Sequence, residues 1–122
     1  MSTKLRFRSE TPDAETRVFR LLGMLHGTPE GYAFQEEVRN RFTEGARRIV
    51  IDLAKVDHVD SSGIGIFATL AASAQNAQAH LALAALPPRV EQVMRVVRIL
   101  DVIEHAPTVE EALARLDAKD RT

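Results

Sequence analysis

Ile49-Val50-Ile51-Asp52-Leu53, followed across a short loop by Val59-Asp60-Ser61-Ser62-Gly63-Ile64-Gly65, decides how this chain is read. The first run is almost continuously apolar, the pattern of a central strand covered on both faces. The second opens an alanine-rich stretch to about Gln78 that predicts a helix, with Ile66, Phe67, Leu70, Ala71 and Ala74 available for burial. A buried strand turning into a helix places the hydroxyls of Ser61 and Ser62 where the first backbone N–H groups have no partners. That corner suits an anion. A phosphoryl group on either hydroxyl would take those N–H bonds at the positive end of the helix dipole, worth about 0.3–1 kcal/mol at an exposed site. The domain need not unfold, yet a group carrying about −1.5 to −2 charges resists burial against an apolar or acidic partner. The corner therefore reads as a protein switch. Asp, Ser and Gly also build ordinary strand-to-helix turns, so local pattern alone leaves a plain helix cap open.

Towards the N-terminus, Leu5 and Phe7 alternate with Lys4, Arg6 and Arg8 as in a half-buried strand, and Ser9 to Glu15, with Pro12-Asp13, predicts a turn. Thr16 to Leu25 predicts a second strand, antiparallel to the first, in which Gly23 marks a bulge or a close approach. Thr28-Pro29 opens a helix whose stripe is Phe34, Val38 and Phe42 and whose end lies near Gly45. Tyr32 and the phenylalanines read as packing residues, and Arg47-Arg48, Arg95 and Arg98 as solvated.

Downstream of the corner, Ala54 to Val59 reads as the loop before the helix, and His80 to Leu86 as another strand closed by Pro87-Pro88. Val90, Val93, Met94, Val97 and Leu100 predict the buried stripe of a third helix, and Val102 to Ala106 a fifth strand. Thr108-Val109-Glu110-Glu111 fits a capping box before a last helix with Ala112, Leu113 and Leu116 inward, and the polar tail from Asp117 is expected to fray. The order β-β-α-β-α-β-α-β-α predicts an α/β fold, a mixed and mainly parallel sheet with four helices. One domain spans 1–122, with its core at about 4–116 and the tail at 117–122.

Composition narrows the chemistry. With 16 basic against 17 acidic residues there is no net attraction to nucleic acid or anionic membrane, and the absence of cysteine excludes disulfides, thiol catalysis and thiolate metal sites. No window approaches 18 uninterrupted apolar residues and no signal-peptide pattern opens the chain, so membrane insertion is not expected and a cytoplasmic protein is the default. Neither G-x-x-x-x-G-K-S/T nor G-x-S-x-G occurs. His58 with Asp57, Asp60 and Ser61 outlines a hydrolase-like group, but residues this close in sequence seldom build a triad, and Asp57, His58 and Asp60 are too few for a defined metal site.

Arg48-Ile49-Val50-Ile51-Asp52-Leu53 and then Val56 to Gly65, with Asp60-Ser61-Ser62-Gly63-Ile64-Gly65, resemble the STAS domain of bacterial anti-sigma factor antagonists. Leu81 to Leu86, Pro88-Arg89-Val90, Leu100-Asp101-Val102-Ile103 and Thr108 to Leu116 look like that family's later elements, so the resemblance runs from about Val18 onward. It implies a non-enzymatic binding protein without cofactor or metal, phosphorylated at Ser61 by a GHKL-type partner that is both anti-sigma factor and serine kinase, and restored by a serine phosphatase. The unmodified form would bind the anti-sigma factor and free sigma. Asp60, Ser62, Gly63 and Gly65 would flank Ser61 in the partner interface. The family commonly ends its second strand in Gly-Glu-Leu-Asp; here Gly23-Met24-Leu25-His26 puts an imidazole at the partner-facing position. A STAS subunit of a lipid-transport or signalling assembly, without regulation at Ser61, is the alternative, and a small hydrolase using Ser61 or Ser62 the third reading.

Overall fold

In the computed structural model, which describes residues 3–121, the apolar run lies in the middle strand of five. The elements are β1 (Arg6–Asp13), β2 (Thr16–Leu25), α1 (Pro29–Thr43), β3 (Arg48–Val59), α2 (Ser61–Asn76), β4 (His80–Ala84), α3 (Pro88–Val96), β5 (Glu104–Ala106) and α4 (Val109–Asp120). A 3-10 turn at Ile99–Asp101 separates α3 from β5. The sheet runs β1-β2-β3-β4-β5; β1 is antiparallel to β2 and the other neighbours are parallel. This is the α/β architecture and element order expected.

Alternation along β3 explains the layers. Ile49, Ile51 and Leu53 pack with Phe34, Val38 and Phe42 of α1, Ile66, Phe67 and Leu70 of α2, and Val90 and Met94 of α3. Val50 points the other way, joining Val18, Ala82 and Ala84 beneath Ala112 and Leu116 of α4. Each buried branched or aromatic side chain contributes about 1.5–3 kcal/mol, so both faces hold the strand in register.

The main differences from the expected boundaries fall in four places. β1 continues past Pro12 and the turn shrinks to Ala14-Glu15, because an edge strand tolerates proline and the pairing shifts between Glu10 and Asp13. Ala54 to Val59 is no loop: β3 runs to Val59, paired with β2 through Leu22↔Lys55, Gly23↔Val56, Met24↔His58 and Leu25↔Val59. Register shifts at Arg20/Leu22 and Gly23/Met24 break the two-residue period there, and Gly23 sits at φ +105° against the Lys4 carbonyl, the close approach read from sequence. α3 is shorter than its valine stripe suggested: Val90 and Met94 are buried, Val93 and Val97 are exposed, and Ile99 and Leu100 turn inward only after Arg98 adopts φ +65°. β5 is correspondingly confined to Glu104–Ala106.

The fourth difference is at the end of the chain. In place of a fraying tail, α4 extends to Asp120, whose side chain is only 10% exposed. It accepts from Arg47 Nη2 at 2.7 Å and pairs with Arg48, so these two arginines, read as solvated, clamp α4 to the start of β3. The Arg47 hydrogen bond, reinforced by the charges of Arg47 and Arg48, holds the Asp120 carboxyl below the usual aspartate range. A carboxyl lowered in the folded state stabilises it above the unfolded pKa, about 3.9, and that contribution is lost as pH falls through the lower folded value. Asp120→Asn is therefore expected to lower the urea midpoint at pH 7, and the gap to the parent protein should close only as the pH falls from about 3.9 through the lower folded value. A gap that persists at low pH would assign the effect to packing.

Candidate functional site

Two helices begin side by side at the ends of β2 and β3, and they begin alike. Thr28 caps α1 by accepting the Gly31 N–H at 3.1 Å, and Asp60 caps α2 by accepting the Gly63 N–H at 2.8 Å. In each case the third helical residue is a glycine pressed against the end of β2. A Cβ on Gly31 would lie 2.1 Å from the His26 carbonyl oxygen, and one on Gly63 would lie 2.3 Å from that of Leu25. The Asp60 N–H also reaches the Leu25 oxygen, at 3.4 Å. The first turn of α2 is thus seated directly on the backbone of β2, and its position is fixed by close packing.

This seating separates the two serines. Ser61, the first residue of α2, is exposed, whereas Ser62 is half-buried beneath Gly27: a Cβ at position 27 would stand 2.8 Å from both Cβ and Oγ of Ser62, and 3.2 Å from the Tyr32 hydroxyl. Asp60 satisfies the Gly63 donor and the Asp60 carbonyl takes the Ile64 N–H at 2.9 Å. Among the described residues, the orphan donors left for an added oxyanion are those of Ser61 and Ser62. Gly65 is exposed, and a Cβ there would meet nothing within 4 Å.

The structure also joins two histidines that sequence kept apart. His26 Nε2 lies 2.7 Å from His58 Nδ1, with the rings 5.0 Å apart and nearly perpendicular, and His26 Nδ1 is 4.0 Å from the second Asp60 oxygen. His26 therefore bridges the end of β3 to the cap of α2. The His58 nitrogen that a carboxylate would orient in a catalytic triad is occupied by an imidazole. Among the described residues, no group of three or more histidine or acidic side chains could hold a metal ion, and no helix is long and apolar enough to cross a membrane.

Asp60, Ser61, Ser62, Gly63, Gly65 and His26 thus share one corner. Sequence reasoning missed Gly27, the His26–His58 contact and Tyr32, which was read as packing but is 47% exposed at the rim. Asp60→Ala is expected to cost about 1 kcal/mol through the lost cap, whereas Asp60→Asn keeps the acceptor and most of the stability. Chemical denaturation of the pair separates cap from charge; equal losses would show that the hydrogen bond to Gly63 is immaterial.

Comparison with known proteins follows the same lines. The profile of the STAS domain family matches residues 14–112. BtrV of Bordetella bronchiseptica, whose name proposes an anti-sigma factor antagonist, is 29% identical over 80 residues, which are 66% of this chain and 69% of that one. Unphosphorylated SpoIIAA, an anti-sigma factor antagonist, superposes with a TM-score of 0.79 at 24% identity, covering 93% of this chain and 97% of the other. An antagonist from Mycobacterium paratuberculosis gives 0.82 at 17% identity, with 96% and 99% covered. SpoIIAA of Bacillus in its phosphorylated form gives 0.70 at 23% identity, with 90% and 98% covered.

Proposed function

The chain belongs to the STAS domain family, and from that premise we propose that it antagonises an anti-sigma factor under the control of phosphorylation at Ser61. The unmodified protein docks its α2 corner on an anti-sigma factor that is also a GHKL-type serine kinase, and sigma is released. Phosphorylation ends the complex, and a serine phosphatase restores it. The protein contributes a surface and an acceptor hydroxyl to this cycle, and no catalytic group.

One observation carries the choice of acceptor: Ser61 is exposed at the first position of α2, while its neighbour Ser62 is half-buried against Gly27. A kinase must bring the γ-phosphoryl group in line with the hydroxyl, which needs an open approach. The family name of BtrV and the phosphorylated SpoIIAA fold support the partner class. Asp60, Ser62, Gly63, Gly65 and His26 then line the interface around the acceptor. At the last of these an imidazole replaces the family's usual carboxylate, so the partner surface here matches a different charge.

Incubation with ATP and each GHKL-type serine kinase of the source organism, followed by peptide mass spectrometry, tests the assignment. The expected result is one phosphate, on the peptide containing Ser61. Recovery of unmodified peptide with every kinase, or modification at Ser62, would overturn it.

A further inference from the structure

The face of the sheet that carries α4 is only half covered: α4 packs on β3, β4 and β5 and over Val18 of β2, leaving β1, β2 from Arg20 onward and the later part of β3 open. Cross-strand pairing puts Arg6, Leu22 and Lys55 in one row and Arg8, Arg20 and Asp52 in the next. Leu22 is 38% exposed and stands between two cations. Arg20 is engaged by Glu10 and Asp52, each at 2.8 Å, and the charge of Arg8 also acts on Glu10, whereas Arg6 and Lys55 enter no ion pair among the described residues. A cavity of about 440 Å³ runs over these side chains. Solvation accounts for the arginines of an edge strand, but an exposed leucine flanked by unpaired cations on both neighbouring strands has the layout of a docking strip.

We propose that this strip receives an amphipathic helix of a partner protein, apolar along its centre and acidic along both edges. Width favours a helix: three strands spaced about 4.8 Å apart give a strip about 10 Å across, close to the diameter of one helix. Charge favours acidic edges, since Arg6 and Arg8 lie on one side of Leu22 and Lys55 on the other. The occupant would lie beside α4 and complete the layer α4 leaves unfinished. Because α2 packs on the opposite face, this surface is distinct from the one that carries Ser61.

Nuclear magnetic resonance titration with a synthetic helical peptide of about 18 residues, a leucine stripe edged by glutamates, tests the strip. Saturable shifts are expected at Arg6, Arg8, Leu22 and Lys55, with no dependence on Ser61→Asp. Arg6→Glu with Lys55→Glu is expected to weaken binding at least about tenfold and to favour the same peptide edged with lysines, a swap that mere loss of folding would not give. Absence of saturation at millimolar peptide, shifts centred on Asp60–Gly65, or equal binding of polyglutamate would overturn the proposal. So would stronger competition from phosphatidylserine vesicles, or self-association of the chain through the same residues.

Discussion

Phosphorylation of Ser61 is expected to weaken the anti-sigma complex by about a hundredfold or more, and Ser61→Asp by at least about tenfold, with little change in the stability of the free protein. The asymmetry follows from where the charge is added. In the free protein the phosphate faces water and the first-turn donors of α2, a gain of about 0.3–1 kcal/mol, set against the neighbouring Asp60 carboxylate. No other acidic residue stands in that first turn, and the imidazole of His26, itself in contact with His58, lies 4.0 Å from Asp60. In the proposed complex the same group would be desolvated against a surface that accepts a neutral hydroxyl, and mismatched charge at an interface costs several kcal/mol, each 1.4 being a factor of about ten. Aspartate supplies one charge without the phosphate's shape, so its effect is smaller. Ser61→Ala should bind like the parent protein and accept no phosphate. Calorimetry with the purified anti-sigma factor reads all three, and equal affinities for the alanine and aspartate variants would sink the switch.

The parts of the fold that were legible are those whose periodicity survives burial. Ile49 to Leu53 lies between helical layers on both faces, and Phe34, Val38 and Phe42 recur every four residues along one side of α1, so each pattern names its element. Bulges hid the rest of β3: with the pairing shifted twice opposite Leu22 to Met24, the buried Val56 and Val59 fall three residues apart and no longer read as strand. The valines of α3 misled for a different reason. Arg98 ends the helical path with a left-handed turn, so side chains spaced for one helix end up on two elements.

At the site, Asp60 to Gly65 was legible because a cap, two hydroxyls and two glycines are contiguous. Gly27, Tyr32 and the partner of His58 were not, since they arrive from the neighbouring strand end. A signal was present nonetheless: Thr28 and Gly31 stand at the same spacing as Asp60 and Gly63. Two capped helices, each with glycine as third residue, imply two helix starts pressed against one backbone.

That seating predicts opposite outcomes from the same substitution two residues apart. In Gly63→Ala the new methyl would lie 2.3 Å from the Leu25 oxygen and 2.7 Å from Val59 Cγ1, and a carbonyl held in the sheet cannot rotate away as a flexible side chain can. Either α2 lifts from β2, loosening the Asp60 N–H to Leu25 contact, or the end of β2 shifts and carries His26 with it. Overpacking of this kind costs about 1–3 kcal/mol, more than the helix gains from alanine in its first turn. In Gly65→Ala the methyl enters open space at a helical backbone angle, and stability should rise by about 0.5–1 kcal/mol. Urea midpoints should therefore move down for the first variant and up for the second. A Gly63→Ala protein as stable as its parent would show that the helix is not wedged against the strand, and the distinction between an open Ser61 and a half-buried Ser62 would lose its physical basis. The Gly65→Ala protein, folded and more stable, then serves as the probe of the partner. If the bare backbone at 65 lies within the anti-sigma interface, this variant binds more weakly despite its stability, and unchanged affinity would place residue 65 outside the contact.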